Sequence, residues 1–308
     1  MAQPLASHTA LRIGGPADLV AVVENRSELR QAVVLSQEHG VPCRVLGGGS
    51  NVLVSDQGVR GLVVLNRARA VTFAPAESSP SRRAEAKKGQ VRAESGASLS
   101  RLARQCVDRG WGGLEWAAGI PGTVGGAVVG NAGAWGGDVA TTLIQATVLE
   151  PGGDVVEWPV ERFAYGYRSS ILKQEFAARA TRRREEAAAR AVVLDAEFAL
   201  QAGERSLLKA RVGDIAARRR ATQPPGATCG SVFKNPAGDY AGRLIDAAGM
   251  KGQRVGGAEI SPIHANFVVN LGGATAADVM ALIDLARQEV RTRFGVTLEL
   301  EIELIGDW

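Results

Sequence analysis

Three consecutive glycines, Gly47-Gly48-Gly49, followed by Ser50-Asn51, stand between two short apolar stretches at 42–46 and 52–54. A loop stripped of side chains between two strands can turn several backbone N–H groups toward one anion. Ser50 and Asn51 add donors of their own. No Gly-Lys-Ser/Thr follows, so the loop is not a P-loop. Val52 stands where the Rossmann dinucleotide fingerprint needs its third glycine. The commonest phosphate-binding loops are thereby excluded, while a tight structural turn stays open as a reading of the loop alone.

A second glycine-rich run, Gly119-Ile120-Pro121-Gly122-Thr123-Val124-Gly125-Gly126-Ala127, continues to Asn131-Ala132-Gly133-Ala134-Trp135-Gly136. Pro121 and its neighbouring glycines fix an unusual backbone path against which a flat ring can lie. A packed connector between elements is the plain alternative. The chain's 38 glycines in 308 residues exceed the usual share of about 7%. They fall in clusters, as expected of loops that need positive φ or close backbone approach to a ligand.

Alternating strand and helix signals run from 18 to 66. A strand is expected at 18–23, then a helix capped by Ser27 and reaching His39, with Leu29, Ala32 and Val33 on one face and Ser36 interrupting it. Strands are expected at 42–46, 52–54 and 61–65. The polar stretch 75–91 reads as a loop or a hairpin tip. Ser98 or Ser100 caps a second helix that turns Leu102, Ala103, Cys106 and Val107 inward. Residues 143–150 and 154–158 read as a hairpin around Pro151-Gly152-Gly153. The polar segment 177–190 precedes a strand at 191–200 and a helix at 205–220, and Gln223-Pro224-Pro225-Gly226 marks a boundary. A late helix runs from Thr275 to Phe294, and an alternating strand at 296–305 closes the chain. This mixed pattern indicates α+β or α/β without a regular βαβ succession.

At 308 residues the chain exceeds one typical domain of ~100–200 residues. Its net charge of +4 mildly favours anionic ligands. The basic runs Arg182-Arg183-Arg184 and Arg218-Arg219-Arg220 are not interleaved with aromatics, so solvated helix faces are expected and nucleic-acid binding is not. Cys43, Cys106 and Cys229 lie too far apart in sequence for a CxxC pair, which fits a reducing compartment. The start lacks a signal-peptide pattern, and no apolar run approaches the ~20 residues of a membrane span. His8, His39 and His264 show no ligand spacing, so no metal site is expected.

Three further stretches carry candidate chemistry. In Tyr165-Gly166-Tyr167-Arg168-Ser169-Ser170-Ile171-Leu172-Lys173, Arg168 offers a planar fork for a carboxylate or phosphate. In Cys229-Gly230-Ser231-Val232-Phe233-Lys234-Asn235-Pro236, Ser231 lacks a nucleophile elbow but can donate a proton to a strong carbon base. In Leu298-Glu299-Leu300-Glu301-Ile302-Glu303-Leu304, alternation puts the three glutamates on one face without singling one out.

Taken together, these stretches resemble the UDP-N-acetylenolpyruvoylglucosamine reductase family in its compact form. The resemblance runs from His8-Thr9-Ala10-Leu11-Arg12-Ile13-Gly14-Gly15-Pro16-Ala17 to Gly306. It also takes in Tyr240-Ala241-Gly242-Arg243-Leu244-Ile245-Asp246, Gly249-Met250-Lys251-Gly252 and His264-Ala265-Asn266-Phe267-Val268-Val269-Asn270. It implies an α+β fold: a vanillyl-alcohol-oxidase (PCMH) type FAD-binding region of two subdomains, 1–70 and 71–202, and an α+β substrate-binding domain, 203–308. It implies non-covalent FAD held by Gly47, Gly48, Gly49, Ser50, Asn51, Gly119, Ile120, Pro121, Gly122, Thr123 and Gly126. NADPH would pass hydride to the flavin, and the reduced flavin would reduce UDP-N-acetylglucosamine enolpyruvate to UDP-N-acetylmuramate for peptidoglycan synthesis. Arg168 and Glu301 match the positions that stabilise the enolate, and Ser231 matches the proton donor to C2. Tyr167 and Asn235 match substrate-binding positions. Glu301 is expected to be protonated, because a carboxylate would repel the enolate beside it.

The resemblance further implies a cytoplasmic bacterial enzyme, acting as a monomer, with no nucleic-acid or membrane partner. The chain departs from the family pattern at Gly130, Leu172, Thr222 and Cys229, where relatives often carry Met, Phe, Lys and Ala. Thr222 puts a substrate or NADPH contact in doubt, and Cys229 is expected to be a small packing residue. The stretches 78–89 and 180–190 are expected to be surface insertions. An oxidase of the same flavin superfamily would keep both glycine loops without needing Arg168, Ser231 and Glu301 together. A flavin-binding protein without activity would not need that set at all.

Overall fold

The computed structural model describes residues 3–75, 88–174 and 190–308. The chain divides into two compact units. One comprises Met1–Val20, Gly48–Gly61 and Arg218–Trp308, and the other Ala21–Gly47 and Leu62–Ala217. The boundary between Gly47 and Gly48 thus falls inside the first glycine-rich loop.

The second of these units is built on an antiparallel sheet. Val155–Pro159, Leu143–Leu149, Val192–Ala202, Lys88–Glu94 and Val71–Pro75 lie side by side in that order, and Trp111–Gly112 pairs with the end of Val192–Ala202. One sheet face is apolar: Val91, Ala93, Ala146, Val148, Ala196 and Phe198 are buried in a core shared with Leu102, Cys106 and Val124. Another row is charged. Arg92 meets Glu157 at 3.0 Å, Glu197 at 2.8 Å and Asp195 at 3.3 Å, so its guanidinium ties three strands together.

The helix Arg26–Glu38 is capped by Asn25, whose side chain accepts from the Glu28 N–H, and not by the expected Ser27. The Glu28 carboxylate in turn accepts from the Asn25 side-chain amide at 2.7 Å, and this reciprocal pairing fixes the cap two residues earlier. Ser36 is buried and donates to the Val33 carbonyl at 2.7 Å, which is how a hydroxyl sits on the apolar face. Ser98, not Ser100, caps Leu99–Asp108.

The other unit pairs Ala227–Ser231, Phe267–Asn270, Ala258–Ile260 and Arg254–Val255 into a four-stranded antiparallel sheet. The helix Ala276–Phe294 buries Val279, Ile283, Ala286 and Val290 in the same core as Ile260, Val268 and Leu298. Its first turn is fully satisfied. Thr275 and Asp278 form a capping box, and the Asp56 carboxylate accepts from Ala276 N at 2.8 Å and Ala277 N at 3.0 Å.

The closing strand is shorter than its alternation suggests. Only Glu303–Ile305 pairs as a strand, parallel to Val52–Val54, with an isolated bridge from Leu300 to Phe233. Leu298 and Ile302 are buried as the alternation suggests, but at its end Ile305 is buried and Leu304 only half-buried, and the hydrogen-bonding partner changes along the segment. The residues between Pro75 and Lys88 lie outside the described residues, but the strands flanking them pair as a hairpin, with strand starting at Lys88 instead of after Val91. The stretch 180–189 and the run Arg182-Arg183-Arg184 also lie outside the described residues. Arg218 and Arg220 are exposed at the end of Arg205–Thr222. Among the described residues no helix is long and apolar enough to cross a membrane.

Candidate active site

In the unit that carries Arg168, the two glycine-rich loops meet. A Cβ on Gly47 would stand 2.3 Å from the Thr123 hydroxyl oxygen and 3.1 Å from its methyl. Leu99 N donates to Gly122 O at 3.2 Å and Val124 N to Ala97 O at 2.9 Å, which fixes the second loop on the start of its helix. Gly122 has φ 109, so the turn before Thr123 needs a glycine. Thr123 precedes the short helix Val124–Gly130 without capping it through its side chain. Gly47, Pro121 and Gly126 are exposed, with Gly119, Ile120, Gly122 and Thr123 half-buried. The result is a surface of nearly bare main chain, suited to a phosphate or the face of a flat ring.

Arg168 sits at the tip of a tight turn. Gly166 and Ser169 bond to each other at 3.1 and 3.2 Å, and Arg168 takes φ 54 between them. Its guanidinium donates to Gly133 O at 2.6 Å and Asn131 O at 3.4 Å. Asn131 is buried, has φ 44, and holds the same turn from the other side: its amide donates to Gly166 O at 3.0 Å. Trp135 and Ala164 also have positive φ, at 56 and 45. Arg168 and Asn131, which holds it, thus both take the left-handed conformation, the pattern expected where a scaffold holds a reactive group against local preference. Tyr167 is 56% exposed beside it, its ring centre 5.5 Å from the guanidinium carbon.

In the other unit, Ser231 follows a bulge. Thr228 pairs with Val269 and Ser231 with Phe267, so three residues span what two span opposite. Gly230, at φ 80, absorbs the extra residue. Ser231 is half-buried. The chain beyond it then meets the C-terminal segment: Glu301 N donates to Val232 O at 2.8 Å and Lys234 N to Glu299 O at 2.9 Å. The three glutamates separate here. Glu299 is exposed and paired with Lys234 at 3.3 Å, whereas Glu301 is half-buried.

The Asn51 side chain is committed within the protein, its amide donating to Glu301 O at 3.1 Å, and Glu303 N donates to Asn51 O at 2.9 Å. The end of the first loop, the Ser231 strand and Glu301 are thus joined by backbone contacts. Gly49 has φ 58, and a Cβ there would stand 2.2 Å from His8 O, so this glycine is explained by packing. Asn235 accepts from Ala241 N at 3.1 Å and fixes the start of the next helix.

Two asparagines that periodicity does not mark bond to the backbone here: Asn131 to Gly166 in the Arg168 turn, and Asn266 to Phe233 just after Ser231. Asn131 lies in the second glycine-rich run, and Asn266 in a stretch whose burial comes only from tertiary contact. Neither has a local signal beyond its amide.

Residues 17–158 match the family described as FAD binding domain, and residues 222–305 the family described as UDP-N-acetylenolpyruvoylglucosamine reductase, C-terminal domain. The UDP-N-acetylenolpyruvoylglucosamine reductase of Chloroflexus aggregans is 44% identical over 303 residues, covering 98% of this chain and 96% of that protein. This chain belongs to the UDP-N-acetylenolpyruvoylglucosamine reductase family. Reductase 2 of Symbiobacterium thermophilum is also 44% identical, over 99% of this chain and 91% of its own length. The crystal structure of the Thermus caldophilus reductase (MurB) matches with a TM-score of 0.77 at 33% identity, covering 99% of this chain and 98% of that one.

Within this reductase-family chain the departures noted in the sequence fall in different settings: Gly130 is half-buried, and a Cβ there would meet nothing within 4 Å. Leu172 and Cys229 are buried. Burial pushes the Cys229 thiol up to about 12, which leaves it protonated and unreactive at neutral pH. Thr222 is exposed, and its hydroxyl donates to Arg218 O at 2.8 Å at the end of its helix.

Proposed function

We propose that this chain reduces UDP-N-acetylglucosamine enolpyruvate to UDP-N-acetylmuramate in peptidoglycan precursor synthesis, with non-covalent FAD as cofactor and NADPH as hydride source. Family membership along the whole chain supports the reaction. The observation that carries the residue assignment is the backbone junction at Val232, which ties Glu301 to the strand bearing Ser231.

The exposed main chain at Gly47 and Gly126 fits a flavin nucleotide, because loops without side chains leave backbone groups open to a ligand. In this reading Gly47, Gly48, Gly49, Ser50 and Asn51 hold the pyrophosphate, and Gly119, Ile120, Pro121, Gly122, Thr123 and Gly126 line the cofactor. FAD, when bound, supplies hydride-transfer chemistry that NADPH renews. Residues 1–70 and 71–202 serve as its two subdomains and 203–308 as the substrate domain.

The chain's own residues then manage charge and protons. Hydride addition at C3 of the enolpyruvyl group leaves negative charge on the substrate carboxylate and C2. Arg168 neutralises it with a fork already oriented by two carbonyl oxygens, so little reorganisation is needed as charge develops. Glu301, in its protonated form, donates a hydrogen bond to the same charge. Ser231 delivers the proton to C2; an alcohol suffices because the carbanion is a strong base. Tyr167 and Asn235 contact the substrate. The chain works as a monomer in the bacterial cytoplasm, where NADPH and nucleotide sugars are found.

The test separates the two half-reactions. Ser231→Ala is expected to leave flavin reduction by NADPH intact and to slow reoxidation by the enolpyruvyl substrate. Unchanged reoxidation removes Ser231 from the proton-donor role. NADPH loss that depends on the enolpyruvyl substrate supports the reductase; peroxide formed from an alcohol substrate points to an oxidase, and a yellow, inert protein to a binding function.

A further inference from the structure

The strand carrying Ser231 loses its regular partner where the site begins. The ladder pairs Ser231 with Phe267 and then stops. Beyond it, Val232 and Phe233 are buried, and their backbone groups still need partners. Asn266 provides them. Its carbonyl accepts from Val232 N at 2.9 Å. Its side-chain Oδ1 accepts from Phe233 N at 2.9 Å, and its Nδ2 donates to Phe233 O at 2.8 Å. A carboxamide has the same donor and acceptor as a peptide group, so Asn266 continues the ladder with a side chain. The Asn266 residue is only 4% exposed.

The opposite edge of the same three residues holds the C-terminal segment, through Glu301 N to Val232 O and Lys234 N to Glu299 O. The stretch 232–234 is therefore gripped between the Asn266 carboxamide and the segment bearing Glu301. Displacing it moves Ser231 at one end and Glu301 across from it. We propose that Asn266 is a positioning residue for proton delivery: its paired amide bonds to Phe233 set the placement of Ser231 and Glu301. This rests on the roles proposed above for those two residues.

Asn266→Asp tests the inference with almost no change of shape. It keeps the acceptor for Phe233 N and turns the donor into an oxygen facing Phe233 O. FAD content and flavin reduction by NADPH are expected to stay near wild type. Reoxidation by the enolpyruvyl substrate is expected to slow by about 100-fold, the cost of a misplacement of about 1 Å, with the loss in rate and not in half-saturation. Lower pH is expected to recover part of that loss as the new carboxyl regains a proton to donate.

Combination with Ser231→Ala decides whether Asn266 acts through the serine. The double variant is expected to lose less than the product of the two single losses, because one part of the Asn266 effect runs through the serine and the rest through Glu301. Multiplying losses, or normal reoxidation in Asn266→Asp while Ser231→Ala is slow, overturns the positioning role and leaves the proton-donor reading standing. Normal reoxidation in Ser231→Ala overturns both. Hydrogen exchange of the 230–235 peptide supplies a readout independent of turnover: Asn266→Asp is expected to lose protection there, and unchanged protection counts against the clamp. If Asn266→Asp does not fold, Asn266→Gln, which keeps both amide groups one methylene farther out, carries the same comparison.

Discussion

Gly47 and Thr123 approach so closely that a Cβ on the glycine would stand 2.3 Å from the threonine hydroxyl oxygen. The two loops that the sequence marks as cofactor-binding are therefore also each other's packing partners. Gly47→Ala is expected to force them apart, at about 1–3 kcal/mol of overpacking, and to lower the FAD retained per chain. Thr123→Ala in the same chain removes the nearest atoms and is expected to restore part of the loss. Flavin absorbance after gel filtration and thermal melting check both.

Arg168 holds φ 54 and donates to Gly133 O at 2.6 Å. Arg168→Lys keeps the charge but not the fork, so one ammonium cannot reproduce both carbonyl contacts and a carboxylate contact. Reoxidation by the enolpyruvyl substrate is expected to fall by about 100- to 1,000-fold, the usual scale for losing a preorganised donor. Flavin reduction by NADPH is expected to persist. Stopped-flow absorbance reads both steps, and equal losses in the two would count against the assigned role.

Asp56 accepts from the first two N–H groups of Ala276–Phe294. Asp56→Ala leaves those donors without a protein partner at a helix start where a negative charge is also favourable. A loss of about 0.5–2 kcal/mol is expected in urea denaturation. Asp56→Asn is expected to recover part of it, since one acceptor oxygen remains.

His264 is held below the ordinary imidazole range, first by burial and then by Lys251 nearby. Lys251 itself pairs with Asp246 at 2.7 Å. The imidazole Nδ1 accepts from Asn266 N at 3.2 Å, a bond that protonation removes. As pH falls through the ordinary imidazole range, the unfolded chain takes up a proton that the folded chain resists. Stability therefore falls on acidification, until the folded imidazole is itself protonated. Thermal melting from about pH 7.5 to 5 is expected to show this decline, and His264→Gln to show less of it.

Much of the architecture was legible in local pattern. The periodicity of Val279, Ile283, Ala286 and Val290 gave the last long helix, and Thr275 its start. Pro151-Gly152-Gly153 marked a hairpin that forms in the expected register region. Reading failed where the actual pairing of side chains or backbone decides the outcome. Ser27 looked like a cap until Glu28 and Asn25 paired with each other. Alternation at 296–305 looked like one strand, yet its backbone bonds first to the 232–234 segment and then to Asn51.

The sequence by itself determined which residue types are available: glycines clustered in two loops, an arginine between a tyrosine and a serine, a serine after Gly230, and glutamates at every second position. It also determined the family, because these motifs occur in one order along the chain. Only tertiary structure decided their roles in the fold. It made Gly49 a packing glycine, exposed Glu299 while half-burying Glu301, and turned Asn131 and Asn266 into clamps. The reason is that burial and hydrogen-bond pairing are set by residues far away in sequence. An asparagine amide looks the same in a solvated loop as it does between two backbone groups that have no other partner.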